Sequence, residues 1–247
     1  MNDPQQLQVM RRVAERGVAY GPASEQEALR AQMLTYQMSP SAVQSHAAFV
    51  PELASEPHVL QELGELTDIL ESRSRMLSVP IPGLAELPLV LHGSYESREI
   101  LTAVGWLTAE RRTPFQAGVL PLADRQTELL FVTLDKSDGY HDRIAYHDYA
   151  ESPTHFHWQT QNSAGPDTRA GKRYLESLTN GWRFELFVRP NKHSAYVACG
   201  PVRIESAEDI SGDRPMNIRW RLEVPLPIGL FREFSVLSAG SSGVATD

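Results

Sequence analysis

The sequence predicts an α+β protein: a helical N-terminal region followed by a strongly curved antiparallel sheet or small β-barrel with one or two inserted helices. Three observations predict it: a helical spacing of apolar residues up to about residue 76, a proline-rich break after it, and a succession of β-type segments beyond the break. With 247 residues, 41% of them hydrophobic, the chain can bury a substantial core.

The N-terminal region carries two apolar stripes at spacings of three and four residues, which is typical of helices packed on one side. Ser24 and Glu27 stand at the spacing of a capping box, which predicts a helix beginning there. The stripes consist of Leu7, Met10, Val13 and Ala14, and of Leu60, Leu63, Leu66, Ile69 and Leu70.

The segment 79–88 contains three prolines and a glycine, so it blocks continuation of a helix and predicts a domain boundary. We therefore expect a helical region over 1–85 and a β-rich domain over 86–238. The last residues, 239–247, are small and polar, and we expect a flexible tail.

Beyond the boundary, a helix is predicted over 97–104, closed by Gly105, and another over 167–178, with Asp167 as N-cap and Asn180 at its exit. Runs of β-branched and aromatic residues predict the strands. These strands are 118–120, 128–134, 154–161, 182–189, 195–205 and 216–224.

Composition narrows the classes of function. A net charge of -8 argues against a surface that attracts polyanions everywhere, so any nucleic-acid surface must be local. Cys199 is the only cysteine, so it forms no internal disulfide and is expected to be a buried strand residue. The sequence shows neither a membrane span nor a signal peptide. We expect a cytoplasmic protein without membrane contact and without a cofactor.

Residues 135–162 are unusually rich in side chains that can stack or form hydrogen bonds, with four of the eight histidines and three of the eight tyrosines. The part up to Pro153 is predicted to be a long loop, a type of segment that is often functional. The following stretch alternates as a strand does. His155, His157, Gln159 and Gln161 are expected on one face, and Phe156, Trp158 and Thr160 on the other.

Three interpretations of this segment compete. The polar face and loop contact nucleic acid, because amides can read base edges, and aromatic rings can stack on bases. Alternatively, His141, His147, His155 and His157 bind a metal, although the spacing is a weak motif. In the third interpretation, these side chains satisfy one another and hold a long loop against the sheet.

Two basic clusters lie further along the chain. Arg169, Lys172 and Arg173 fall on adjoining positions of the predicted helix and could hold phosphates or form an ordinary solvated face. On the last strand, Asn217, Arg219 and Arg221 share one face, with Arg214 before them; the alternative there is pairing with Glu205, Glu208 or Asp209. The residues predicted to bind nucleic acid are Lys136, Tyr140, His141, Arg143, Tyr146, His147, Tyr149, His155, His157, Gln159, Gln161, Asn162, Arg169, Lys172 and Arg173.

Several ordered motifs carry a family resemblance: Leu129-Leu-Phe-Val-Thr-Leu-Asp-Lys-Ser, Tyr146-His-Asp-Tyr-Ala, Phe156-His-Trp-Gln-Thr-Gln-Asn and Gly212-Asp-Arg-Pro-Met-Asn-Ile-Arg-Trp-Arg-Leu. They resemble a bacterial domain of unknown function found at the C-terminal end of DEAD/DEAH-box helicase-like proteins, some of which also carry a phospholipase-D-like nuclease domain. The resemblance covers roughly residues 91–237. The chain lacks a Walker A lysine motif, a DEAD/DEAH box and a nuclease His-x-Lys motif, so it is not itself the motor.

The resemblance implies a recognition or regulatory part of a bacterial helicase-nuclease system, of the kind that acts in defence against foreign DNA. Our leading hypothesis is a non-catalytic domain that recognises duplex DNA, modified DNA included, beside a helicase or nuclease domain or subunit. One alternative is a module that docks on such a partner through residues 4–76. The other is a metal-dependent hydrolase using Asp138, Asp142 or Asp148 with a histidine.

Overall fold

The computed structural model describes residues 2–39, 45–74, 77–108, 115, 118–135 and 148–235. The chain divides into two compact units. The first comprises residues 1–115 with 195–198, and the second comprises 116–194 with 199–247. The domain bounds expected from the sequence stay a prediction. No helix in the described ranges is long and apolar enough to cross a membrane.

The helical start of the chain is confirmed. The helices are α1 (Pro4–Arg16), α2 (Glu25–Met38), α3 (His46–Ala54) and α4 (Pro57–Arg73). Leu7, Met10 and Val13 of the first predicted stripe are buried in one core cluster, which Leu34 and Leu63 join from α2 and α4. The helical spacing of the sequence therefore identified the packing face of α1.

The predicted capping box at α2 is only half formed. Ser24 Oγ accepts a hydrogen bond from Glu27 N at 3.2 Å, as an N-cap should. The Glu27 carboxylate, however, accepts from Ala23 N at 3.1 Å and from the Tyr20 hydroxyl at 2.9 Å. Because these donors bind the carboxylate, Glu27 does not accept a hydrogen bond from the backbone N–H of Ser24, which is the second half of a capping box.

A buried ion pair ties the start of α1 to the rest of the first unit. Asp3 caps α1 by accepting from Gln5 N at 2.9 Å. Its other oxygen accepts from Arg30 Nη1 at 2.5 Å and from the Tyr95 hydroxyl at 2.8 Å. Tyr95 lies on the short strand β1 (Ser94–Tyr95), just before α5 (Ser97–Ala103). The predicted helix at 97–104 is confirmed, and Gly105 follows it with φ +70°.

The remaining strands form a mixed sheet. They are β2 (Val119–Leu122), β3 (Thr127–Asp135), β4 (Tyr149–Ser152), β5 (His155–Gln159), β6 (Arg183–Asn191), β7 (Tyr196–Arg203), β8 (Ile210–Gly212) and β9 (Met216–Leu222). The order is β2-β3-β6-β7-β9-β5-β4, with β1 pairing β7 and β8 pairing β9.

Two features of the sheet differ from the expected antiparallel sheet or small barrel. The strands β3 and β6 pair in parallel, from Thr127 opposite Arg183 to Asp135 opposite Asn191. The long connection between them, through β4 and β5, allows this because parallel neighbours need a crossover. In addition, the ladder of described strands ends at β2 and β4 without closing. A curved sheet fits this ladder, whereas a barrel is not shown.

The second unit also contains α6 (Arg169–Leu175) and α7 (Ile228–Phe234). Asp167 is not the N-cap of α6, because its carboxylate pairs with Arg214. Thr168 takes that role, and its Oγ1 accepts from Gly171 N at 3.0 Å. The sequence did not predict α7, β1 or β8, and it placed β4 inside a loop.

An aromatic core joins α6 to the sheet. The Tyr174 ring lies 5.6 Å from both Trp158 and Phe184 and 6.3 Å from Trp220, measured between centroids. Trp220 is fully buried, and so is Cys199, as the sequence predicted. The face of β5 that carries Trp158 is therefore the face covered by α6.

Candidate nucleic-acid interface

The alternation predicted for β5 is confirmed along the strand itself. Phe156 and Trp158 are buried, whereas His155, His157 and Gln159 are half-exposed on the opposite face. We call this second side the strand face. It continues onto β4 and β9, where Tyr149 pairs with His157, and Arg221, Arg219 and Asn217 stand opposite His155, His157 and Gln159.

Gln161 and Asn162 lie beyond the strand and not on it. The strand ends at Gln159, and Thr160 then anchors a turn by donating its hydroxyl to Ala164 O at 3.0 Å. Ala164 N also donates to Gln161 O at 2.8 Å. Both predicted site residues are exposed in this turn, and the strand predicted to reach residue 161 ends two residues earlier.

The histidines of the strand face are held by near neighbours. The His157 ring stacks on Tyr149 at 5.1 Å between centroids. His155 Nδ1 lies 3.2 Å from Ser152 Oγ and 3.1 Å from Thr154 Oγ1, and its Nε2 lies 3.7 Å from a Glu205 carboxylate oxygen. These contacts fix the orientation of both rings.

The amide of Gln159 is also engaged. Its Nε2 donates to Asn217 Oδ1 at 2.8 Å, across the pair of strands. Its backbone N–H donates to the buried Asp148 carboxylate at 2.8 Å. A base edge would have to compete with Asn217 for the Gln159 donor.

Charge on the strand face is largely compensated. Arg219 Nε lies 2.6 Å from Glu151 and its Nη1 lies 3.7 Å from Asp209, so the predicted pairing with Asp209 occurs. The partner of Arg203 is Glu205, at 3.2 Å. The strand face thus offers phosphate little net positive charge.

The cations of α6 are in a different situation. Arg169 and Lys172 are exposed, and their side chains have no partner among the described residues. Arg173, by contrast, is fixed: its Nε donates to Glu128 at 2.6 Å, and Glu128 is fully buried. Arg173 Nη1 also donates a hydrogen bond to Arg169 O at 3.5 Å.

These cations line a concave pocket of about 380 Å³. We call it the α6 pocket; its residues are Arg169, Lys172, Arg173, Glu176, Asn180 and Trp182. The Arg173 guanidinium lies over the Trp182 ring, 5.1 Å from its centroid. The sequence reasoning missed Trp182 as a site residue, although its place directly after the predicted Asn180-Gly181 helix exit put it beside the basic residues.

The structure does not bring the predicted residues of α6 together with those of the strand face. The α6 residues pack over the face of β5 that carries Trp158, whereas His155 and His157 project from the other face. The α6 residues and the two histidines therefore lie on opposite sides of β5 and do not share one face. The predicted residues Lys136, Tyr140, His141, Arg143, Tyr146 and His147 lie outside the described part of the chain.

A metal site is the second interpretation of residues 135–162. Within the ranges that the structure describes, no group of three or more histidine, cysteine or carboxylate side chains could hold a metal ion. Asp148 is buried and accepts from a backbone N–H, while Asp138 and Asp142 lie outside those ranges.

Together, the fold and the site define a mixed α/β protein in which the described strands form an open sheet and a basic pocket lies beside one inserted helix. The chain belongs to the family described as a domain of unknown function, DUF3427, which it matches over residues 89–234. The resemblance to an uncharacterised domain is confirmed, whereas the association with helicases stays a prediction. A comparison with curated proteins finds no match.

Proposed function

We propose that this chain is a non-catalytic DNA-recognition domain in which the α6 pocket holds phosphates. The observation that carries the proposal is the pair of exposed cations, Arg169 and Lys172, beside the fixed guanidinium of Arg173. On a chain with a net charge of -8, such a cluster is a local anion site of the kind that contacts to the DNA phosphate backbone require.

Buried contacts below α6 preorganise this cluster. Glu128 accepts from Arg173 at 2.6 Å and from the Tyr174 hydroxyl at 2.6 Å, and burial raises the pKa of that hydroxyl, so it stays a donor. With its Nε bound, Arg173 presents its terminal nitrogens from a fixed position. A preorganised fork loses less entropy on binding phosphate than a free one.

The strand face has a smaller part in the proposal. His155, His157 and Gln159 would contact base edges or a modification only after giving up contacts with their neighbours. Substitutions there should change discrimination among DNAs more than overall affinity, because base contacts specify and phosphate contacts position. The partner in this proposal is a helicase or nuclease domain or subunit of a bacterial defence system.

The test is a fluorescence anisotropy titration of short duplex DNA, with and without base or backbone modification, at about 50 mM salt. The variant Arg169→Ala/Lys172→Ala should bind about tenfold or more weakly than the unmodified chain. The control, Arg16→Ala/Arg232→Ala, removes two exposed cations elsewhere and should bind normally. No binding of the unmodified chain to any duplex, or equal losses in both variants, would sink the proposal.

One observation favours a second candidate function, that of an interaction module. An apolar groove of about 360 Å³ lies in the helical unit. It is lined by Met10, Leu34, Gln37, Met38, Val59, Glu62, Leu63, Leu66 and Leu70. Leucine and methionine side chains suit an amphipathic helix, and Glu62 on the lining favours one with lysine or arginine beside its apolar face.

Co-purification from a helicase- or nuclease-containing extract addresses this second candidate. Leu66 is 47% exposed, so Leu66→Asp should remove the partner without unfolding the chain. Leu178→Asp, at an apolar position that is 56% exposed in the other unit, should leave it bound. Retention of the partner by the Leu66 variant would contradict docking in the groove.

A further inference from the structure

The α6 pocket contains more than a phosphate site needs. Its volume of about 380 Å³ falls within the range of small-ligand sites. Besides cations it has an aromatic ring, Trp182, and a carboxylate, Glu176. A phosphate alone would use neither group, and a carboxylate would repel it.

The Trp182 ring is held in place. Its backbone N–H donates to Asn180 Oδ1 at 2.9 Å, and Asn180 Nδ2 donates to Arg173 O at 2.9 Å. The guanidinium of Arg173 then lies against the ring. The indole is half-buried, and Trp182 lines the pocket.

Charge is ordered along the helix. Arg169 is the first residue of α6, Lys172 and Arg173 follow about one turn later, and Glu176 is the C-cap. At 1.5 Å per residue, Arg169 and Glu176 are separated by roughly 10 Å along the axis. An anionic group is favoured at the Arg169 end, and a hydrogen-bond donor at the Glu176 end.

We infer that the α6 pocket binds one unpaired nucleotide, with its phosphate on Arg169 and Lys172 and its base against Trp182. The Glu176 carboxylate accepts a hydrogen bond from an exocyclic amino group of the base. Aromatic side chains stack on any base, whereas the carboxylate accepts from the exocyclic amino group of cytosine, in whose place thymine has a carbonyl oxygen. This inference rests on the proposed function, because it places a base of the bound DNA outside the duplex.

The experiment compares the full chain's affinity for short oligo-dC, oligo-dT, a blunt duplex and free dCMP at low salt. We expect oligo-dC to bind about tenfold more tightly than the blunt duplex, and more tightly than oligo-dT. Trp182→Ala should weaken oligo-dC binding about tenfold, in line with the loss of one stacked base, and should weaken duplex binding by a smaller factor. Trp182→Phe should restore most of the loss.

Two further variants separate the contacts. Glu176→Gln should reduce the preference for oligo-dC over oligo-dT, because the amide is a weaker acceptor than the carboxylate. Leu175→Ala is the matched control, since Leu175 is 44% exposed on the same helix and does not line the pocket. It should behave as the unmodified chain does.

The outcomes distinguish the inference from the proposed function. Duplex binding that depends on Arg169 and Lys172 but shows no effect of Trp182→Ala on oligo-dC overturns the inference alone. Binding of dCMP that Trp182→Ala abolishes, without binding to any DNA, supports the nucleotide pocket and overturns the DNA-recognition proposal. Absence of binding to every probe overturns both.

Discussion

Glu185, the third residue of β6, is a fully buried carboxyl group whose two oxygens have no hydrogen-bond partner among the described residues. Burial raises the pKa of this group well above its usual value. The charge of Glu223 raises the pKa further, and that of Arg183 lowers it by less than burial raises it. In the folded chain this carboxyl therefore holds its proton at pH values where an exposed one is ionised.

The pH dependence of stability should reveal this proton. The unfolded chain releases it near pH 4.5, the folded chain only at higher pH, so the stabilising contribution is complete below about 4.5 and is lost as pH rises. Between the two pKa values the free energy of unfolding should fall by about 1.4 kcal/mol per pH unit. Glu185→Gln should make this slope shallower, measured as urea midpoints by circular dichroism from about pH 5 to 7; the slope that remains includes the contribution of Glu99, whose pKa burial raises to about 7.

The matched control is Glu208→Gln, which removes an exposed carboxylate from the same unit. Its urea midpoints should follow those of the unmodified chain at each pH. Parallel curves for Glu185→Gln and the unmodified chain would show that Glu185 is ionised in both states.

A second prediction at the scale of the residue concerns the Asp3 carboxylate. Asp3→Ala leaves the buried Arg30 guanidinium without its charged partner and removes the acceptor of the Tyr95 hydroxyl. Removal of one partner of a buried ion pair costs about 3–5 kcal/mol. We expect thermal unfolding to shift down accordingly, whereas Asp68→Ala, at an exposed partner of Arg11, should shift it far less. Equal shifts would mean that the Asp3 pair contributes no more than a surface pair.

At the scale of the element, α6 depends on a close approach of two backbone segments. A Cβ at Gly171 would lie 2.0 Å from Gly165 O, so any side chain there must displace backbone. Gly229, in the equally short helix α7, has nothing within 4 Å of the corresponding position. The two glycines form a matched pair for testing what holds α6.

Gly171→Ala should lower the free energy of unfolding by roughly 1–3 kcal/mol, because the clash forces backbone apart, and it should weaken DNA binding at the α6 pocket. Gly229→Ala should be neutral or stabilise by up to about 1 kcal/mol, since alanine favours helix. Thermal denaturation and the anisotropy titration measure both effects. Normal stability of the Gly171 variant would show that residue 165 can move freely.

Local patterns predicted the elements that local physics determines. The spacing of Leu7, Met10 and Val13 identified α1, and alternation identified the two faces of β5. Other features depend on distant residues. Asp167 has the chemistry of an N-cap but is taken by Arg214, 47 positions away in sequence, and the parallel partner of β3 follows two intervening strands.

The site shows the same division. Helical spacing placed Arg169, Lys172 and Arg173 on one side of a helix, and all three line one pocket. Their separation from His155 and His157 was not predictable, because it depends on which face of the sheet Tyr174 packs against. The role of Trp182 likewise follows from tertiary contact with Arg173.

At the scale of the whole molecule, the net charge of -8 means that phosphate contacts are local, and the salt dependence of DNA binding should report how many there are. If contacts are confined to the three cations of α6, log K against log salt should have a slope of about -3 for duplex DNA. Lys172→Ala should reduce this slope by about 1 unit. Titrations at several salt concentrations measure it. A slope near zero, or one far steeper, would show that other parts of the chain meet the phosphates.

The open sheet has a consequence for the self-association of this protein through its strand edges. Unpaired strand edges invite edge-to-edge aggregation, and proteins guard them with proline, charge or irregular backbone. The terminal strand β2 contains Pro121, which offers no N–H to an incoming strand. At the other end of the ladder, β4 has a register shift between Ala150 and Ser152 and carries the charged residue Glu151. Both edges thus carry their own protection against self-association.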